Sequence, residues 1–346
     1  MMASGMLKRT VLAGITIVLL ASLVGAGALA ATQGALAFFK GKVIKFIVPY
    51  SVGGGFDSYA RAIAPYLEKY IPGVTVVVQN VPGGGGMIGI NTLYAAEPDG
   101  LTIGIAHGAG AVINQVLKTP GTRFKLEEMN WLARVTTEPL VTVVSGKSAF
   151  KTVEDFKNAG RPIVFAQTGV GSGDYYGSLL LLKALGINYK VVTGFPGSRE
   201  ANLAVVRGEG VDGTSAFYGS LLPLIAAGDV RPVVQLAFKR HKDMPNVPTA
   251  LEIVTDANRE LVQALTSLFE IKYIIGAPPK VPAERVAALR SAFDKVFADR
   301  EFIDWSVKMK CPVDYLNGAE LDKAVEENLD AFTKLEHELK AITENK

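Results

Sequence analysis

Val43-Ile44-Lys45-Phe46-Ile47-Val48-Pro49-Tyr50-Ser51-Val52-Gly53-Gly54-Gly55-Phe56-Asp57 is the stretch whose reading decides the fold. Its β-branched opening reads as a strand that stops at Pro49 and runs into glycines. From 57 to 70, Tyr59, Ile63, Tyr66, Leu67 and Tyr70 recur at helical spacing. Pro65 lies inside that span and predicts a kink or a late start. A second strand over 74–78, another glycine cluster, a helix near 89–96 and a third strand over 101–105 follow. Strand, glycine loop, helix and strand make a βαβ unit with parallel strands and a right-handed crossover.

Working outward, the alternation resumes after the apolar stretch 139–144. Strands are predicted over 162–166, 190–192, 211–216 and 230–237, with helices over 174–185, 198–207 and 221–227. An apolar stretch at 273–275 precedes terminal helices. The last carries Leu321, Val325, Leu329, Phe332, Leu335, Leu339 and Ile342 in steps of three and four, a core-facing stripe. No repeat of 20–50 residues is present. The class is α/β, and 346 residues suit about two domains once a leader is removed.

The N-terminus reads as that leader. Lys8 and Arg9 precede an uncharged apolar run over 11–37, and Ala28-Leu29-Ala30 and Ala35-Leu36-Ala37 both fit a small-x-small cleavage site. An uncleaved membrane anchor is the competing reading. The glycines and alanines that dilute its end favour a cleaved secretory signal and an exported body. Losing Lys8 and Arg9 lowers the net charge from +3 to +1, too balanced for a nucleic-acid binder. Cys311 is the single cysteine, so no internal disulfide forms, and no Cys/His cluster offers a metal site. With apolar residues at 49%, the body can build a core without such staples.

Three glycine loops carry the chemistry, at 49–57, 80–89 and 167–174. Each lies between a strand and a helix, where glycine lets backbone N–H groups approach an anion and the helix end adds partial positive charge. No Walker A lysine follows any of them. The dinucleotide pattern begun by Gly169 and Gly171 fails at Asp174, and Ser172 lacks the flanks of a nucleophile elbow. The Ser172 hydroxyl reads as a ligand donor or a helix cap, and Asp57 and Asp174 as N-caps or first-turn acids. His107 follows the third strand where a loop faces a crevice, and reads either as a ligand contact or as a structural histidine. Phe217 and Tyr218 follow a strand and either wall a pocket or pack. His241 sits in a basic turn, and His337 on the polar side of the last helix.

The stretches 49–61 and 80–89, Glu97-Pro98-Asp99-Gly100, Gly171-Ser172-Gly173 and Gly208-Glu209-Gly210-Val211-Asp212 carry a resemblance. So do Ala227-Gly228-Asp229-Val230-Arg231-Pro232 and Pro245-Asn246-Val247-Pro248-Thr249. Together they resemble the extracytoplasmic solute receptors of tripartite tricarboxylate transporters, the Bug or TctC family. The resemblance spans nearly the whole mature chain. It implies a periplasmic, type II-like Venus-flytrap protein with a mainly parallel sheet in each domain. Residues 1–37 are then the signal, 38–145 and 262–346 the first domain and 146–261 the second, with hinges near 144–147 and 261–270.

The implied ligand is a small organic carboxylate held between the domains, with no cofactor and no catalytic residue. The family pattern maps onto Tyr50, Ser51, Gly54, Gly55, Gly85, Gly86, Thr168, Gly171, Ser172 and Gly173; His107 and Phe217 complete the candidate set. Membrane transporter subunits are the implied protein partners, and the receptor itself is a monomer. Two departures leave the far half of the pocket open: Val52 to Phe56 replaces the usual first-loop pattern, and residues 269–275 lack the family's Trp-x-Gly strand. An exported enzyme acting on a small carboxylic acid, or a sensor feeding a signalling kinase, are the alternatives. Nothing in the sequence assembles a nucleophile, a base and an orienting group.

Overall fold

The computed structural model describes residues 34–344 apart from 196 and 310. Residues 1–33 of the expected leader, Ala28-Leu29-Ala30 among them, lie outside the described residues, whereas Ala35-Leu36-Ala37 lies within them. A short helix over 34–39 (α1) leads into β1 (Val43–Val48), α2 (Gly55–Tyr70), β2 (Thr75–Asn80), α3 (Met87–Tyr94), β3 (Thr102–His107) and α4 (Gly108–Val116). β4 (Asn130–Thr136) hands the chain to β5 (Leu140–Ser145). Then come α5 (Val153–Lys157), β6 (Ile163–Ala166), α6 (Gly173–Ala184), β7 (Tyr189–Val192), α7 (Ser198–Arg207) and β8 (Gly213–Phe217). They are followed by α8 (Tyr218–Ala227), β9 (Val230–Leu236), α9 (Ala250–Ile253) and α10 (Asp256–Phe269). The chain returns through β10 (Tyr273–Ala277) and ends in α11 (Ala283–Ala298), α12 (Arg300–Lys308), β11 (Leu316–Asn317), α13 (Gly318–Lys334) and α14 (Glu336–Glu344).

Two sheets result, ordered β11-β4-β10-β3-β1-β2 and β7-β6-β8-β5-β9. β1 runs parallel to β2 and β3, and β6 parallel to β7 and β8, as βα units require. β10 is antiparallel to β3 and β4, and β5 is antiparallel to β8 and β9. The sheets are therefore mixed rather than mainly parallel. The register gives the reason. Tyr273 at the start of β10 sits opposite His107 at the end of β3, and Leu140 at the start of β5 opposite Phe217 at the end of β8. A strand laid down after the chain crosses between sheets starts where the βα strands finish, so it must run the other way. All these ends face one seam between the two lobes.

The strand pairing shows which sheet receives β5. A boundary after residue 145 placed Leu140–Ser145 with the first domain, but β5 pairs only within the second sheet. The chain crosses between the sheets at residues 137–139, ahead of the expected hinge at 144–147. It returns at 270–272, after α10, which packs on α6 and β9 of one lobe and on α4 and α13 of the other.

The burial pattern explains why these segments fold as they do. β1 alternates at its start and then buries Phe46, Ile47 and Val48 consecutively, as a strand covered on both faces does. Phe46, Ile63, Leu67, Phe293 and Phe302 form the outer core of the first sheet. A second cluster runs from Ile113, Leu321 and Phe332 through Leu265 and Phe269 to Phe165 and Leu180, so the lobes share apolar packing. Each such side chain contributes roughly 1.5–3 kcal/mol when fully buried. Helix α2 begins at Gly55, earlier than expected, and is unbroken through Pro65, whose exposed position leaves the unbonded carbonyl of the preceding turn to water.

Candidate ligand-binding cleft

The first glycine loop ends at Gly54, the N-cap of α2, in extended backbone and with no side chain to offer the helix. The N–H groups of Gly55, Phe56 and Asp57 consequently meet no hydrogen-bond acceptor among the described residues. Asp57 is a buried first-turn acid that turns back on its own helix. Its carboxylate accepts from Gly53 N–H at 2.9 Å, Arg61 Nε at 2.9 Å and Asn80 Nδ2 at 2.9 Å. Burial works to raise its pKa, but these donors outweigh burial and hold it below the ordinary aspartate value. Ser51, Gly54 and Gly55 lie on the exposed rim. Gly55 abuts Tyr273, where a Cβ would come within 2.5 Å of the phenol oxygen.

The second and third loops meet across the seam. Gly85 has φ +63°, and a Cβ on it would stand 2.6 Å from the Gly171 carbonyl carbon and the Ser172 nitrogen. The Tyr50 hydroxyl donates to Gly85 O at 3.1 Å, and Gly86 packs against that same hydroxyl. Asn114 Nδ2 on α4 donates to Gly171 O at 2.9 Å. Gly173 lies so close to the imidazole of His107 that a Cβ would sit 2.1 Å from Cε1. Glycine is needed at 85 and 173 because the lobes touch backbone to backbone and backbone to ring.

The third loop differs from the first in what its helix end holds. Ser172 is the N-cap of α6; its Oγ accepts from Tyr175 N–H at 3.3 Å and donates to Gly169 O at 2.8 Å. Thr168 Oγ1 lies 2.9 Å from Ser172 Oγ and donates to the Asp174 carboxylate at 2.9 Å. Burial raises the Asp174 pKa, while the Ser172 and Thr168 hydroxyls and the first-turn N–H groups of residues 174 and 175 oppose that rise. The end of α6 is therefore occupied by its own acid. Thr168 and Ser172 are turned into their loop rather than towards the seam.

Behind the loops lies an aromatic floor. Phe56 packs at a tilt 4.6 Å from Tyr50 and 4.3 Å from Tyr273, while Phe217 lies 5.2 Å from His107 and 5.9 Å from Phe269. Lys272, on the return crossover, is buried in this floor. Its Nζ donates to Glu138 on the outgoing crossover at 2.8 Å, and stands 3.5 Å from the Phe217 ring centre and 4.1 Å from that of Tyr273. Burial pulls the Lys272 pKa down to about 8, against the Glu138 charge that supports the ammonium. His107 Nδ1 accepts from Gly110 N–H at 3.3 Å, which places the proton of the neutral ring on Nε2. That Nε2 is buried and meets no acceptor among the described residues. Burial, then the nearby Lys272 charge, depresses the His107 pKa to about 3.

The candidate residues thus share one seam, with Ser51 and Gly54 on its rim, and Thr168 and Ser172 acting as braces. Lys272, Glu138, Tyr273 and Phe56 were missed from the sequence. The available signal was a lone lysine opening the apolar run Lys272-Tyr273-Ile274-Ile275, but its partner Glu138 lies 134 residues away. No group of three or more metal-ligating side chains occurs among the described residues. Nor does any helix among them have the length and apolarity to cross a membrane.

A family model described as a tripartite tricarboxylate transporter family receptor matches residues 59–340. A protein of Pseudomonas sp. strain P51, described as the UPF0065 protein in the tcbD-tcbE intergenic region, is 28% identical over 305 residues, covering 82% of this chain and 87% of its own. Among solved structures, MatC of Rhodopseudomonas palustris with bound malate superposes with a TM-score of 0.70 at 23% identity, covering 85% of this chain and 99% of the other. A second R. palustris protein, solved with adipate, gives a TM-score of 0.70 at 19% identity, covering 87% of this chain and 97% of its own. These two likenesses establish the two-lobed α/β fold. With the family model spanning most of its length, this chain belongs to the tripartite tricarboxylate transporter receptor family.

Proposed function

We propose that this protein is a periplasmic receptor that closes its lobes on a small organic carboxylate and delivers it to membrane subunits of a tripartite tricarboxylate-type transporter. The observation that carries this reading is the open end of α2, with the N–H groups of Gly55 and Phe56 free of acceptors beside the seam. Each N–H or helix-end contact to an anion contributes about 0.3–1 kcal/mol when exposed and up to roughly 2 when partly buried. Tyr50, Ser51, Gly54 and Gly55 form the anchor, with His107 and Phe217 behind it. Gly85, Gly86, Gly171 and Gly173 let the lobes meet, while Thr168 and Ser172 brace the third glycine loop. The malate and adipate bound by two structural neighbours support a carboxylate.

The residues act as a binder and not as an enzyme. Burial holds His107 neutral at the seam, the Lys272 amine is committed to Glu138, and the Thr168 and Ser172 hydroxyls are committed to Asp174 and the Gly169 carbonyl. We place the first lobe at residues 38–136 and 273–344 and the second at 140–269, with crossovers between them. Ala35 and Phe39 of α1 are buried in the outer core, which favours signal cleavage ahead of them, after Ala30, over cleavage after Ala37. Titration calorimetry against mono- and dicarboxylates tests the reading. Stoichiometric binding with ligand recovered unchanged is the expected result, and turnover of any of them would replace the receptor with an enzyme.

A further inference from the structure

We infer that the cleft selects acids bearing one negative charge on an apolar body and rejects dicarboxylates. The inference rests on the receptor reading and narrows its ligand. The first-turn N–H groups of α2 are unclaimed donors for a charged ligand on the rim of the seam. The corresponding end of α6 already holds Asp174, braced by Thr168. The cation in the floor is matched as well: Lys272 and Glu138 pair at 2.8 Å, with side chains 2% and 7% exposed. Among the described residues, no other lysine or arginine contacts Glu138, Asp174, Phe217 or Tyr273.

A second carboxylate in the aromatic floor would meet Lys272 as the cation placed there, and could pair with it only by drawing it away from Glu138. That would strand the Glu138 carboxylate in the interior without a counter-charge, a strongly unfavourable exchange. A neutral body meets the opposite reception. Tyr50, Phe56 and Tyr273 pack ring against ring beside the α2 end, and Phe217 and Phe269 stand across from them. The unpartnered Nε2–H of His107, 4% exposed between these rings, is a neutral donor for the carboxylate's second oxygen or for a hydroxyl or carbonyl on the body. Discrimination thus comes from an unpaired charge imposed on the wrong ligand.

The test is titration calorimetry of the whole protein with two matched pairs, benzoate against terephthalate and hexanoate against adipate. The expected result is at least about tenfold tighter binding of each monocarboxylate. Glu138→Gln releases Lys272 and should move the ratio about tenfold or more towards the dicarboxylates. Asp174→Asn removes the acid of α6 and should move it the same way by a smaller factor; it decides the matter if Glu138→Gln does not fold. Wild-type preference for the dicarboxylates, or an unchanged ratio in the folded variants, overturns this inference and leaves the receptor reading standing. Binding of neither class overturns the receptor reading itself.

Discussion

The first and third glycine loops look alike in sequence, and the helices they feed end in opposite states. Each loop is a glycine cluster followed by an aspartate, yet the buried Asp57 is taken up by Gly53, Arg61 and Asn80 while Asp174 stays at its own helix end. The cause is a single step in position. Asp57 stands third in α2, beyond an N-cap glycine without a side chain, and Arg61 waits one turn further on. Asp174 stands second in α6, beside a capping serine, with a threonine hydroxyl aimed at it. One end is left open for a guest anion and the other is closed by its own. A glycine loop before a helix is therefore no guarantee of an anion site.

The comparison can be pressed hardest at the floor that joins the lobes. Lys272→Met strands Glu138 and should cost about 3–5 kcal/mol in urea unfolding, most of it recovered by adding Glu138→Gln. Gly85→Ala puts a Cβ against the Gly171 backbone at a positive φ, and should weaken binding of the tightest carboxylate about a hundredfold, roughly 2.7 kcal/mol. Gly169→Ala meets open space at the neighbouring loop, so calorimetry should find it within about twofold of the parent. Gly54→Asp fits its extended backbone and would close α2 as Asp174 closes α6; affinity should fall at least about tenfold. If that variant binds normally, the open helix end is not the anchor.

Smaller effects probe the histidine and the cap. The unfolded His107 takes a proton near pH 6.5, whereas burial delays this to about 3 in the folded chain. The unfolded state therefore binds more protons between these values. This contribution to stability is present above 6.5 and is lost at up to about 1.4 kcal/mol per pH unit as the pH falls towards 3. The difference between parent and His107→Gln unfolding curves should show that slope; parallel curves would place the ring in water. Ser172→Ala should lower stability by about 1 kcal/mol through loss of the α6 cap, with a smaller change in affinity. A larger change in affinity than in stability would restore Ser172 as a direct ligand donor.

Much of the architecture was legible because its causes are local. Strand, glycine loop and helix follow from apolar spacing and from where glycine and proline interrupt it; α7 matches its expected span, and β1 its expected ends. β4, α4 and α10 escaped notice. α4 is buried along most of its length, so its sequence lacks the polar face that marks an amphipathic helix. The passage from β4 to the other sheet is not legible in the sequence, because Leu140–Ser145 reads as a strand whichever sheet receives it.

By itself, then, the sequence determined the α/β class, the βαβ units, the three glycine loops and the family to which they point. These depend on contacts within a few residues and on backbone freedom that glycine carries anywhere. Only the tertiary structure decided which helix end stays open, that Lys272 meets Glu138 under two aromatic rings, and that His107 keeps one unclaimed proton. Those outcomes depend on how two crossovers far apart in the chain are brought side by side. Burial then sets the cost of every charge placed there, and no local pattern records that burial.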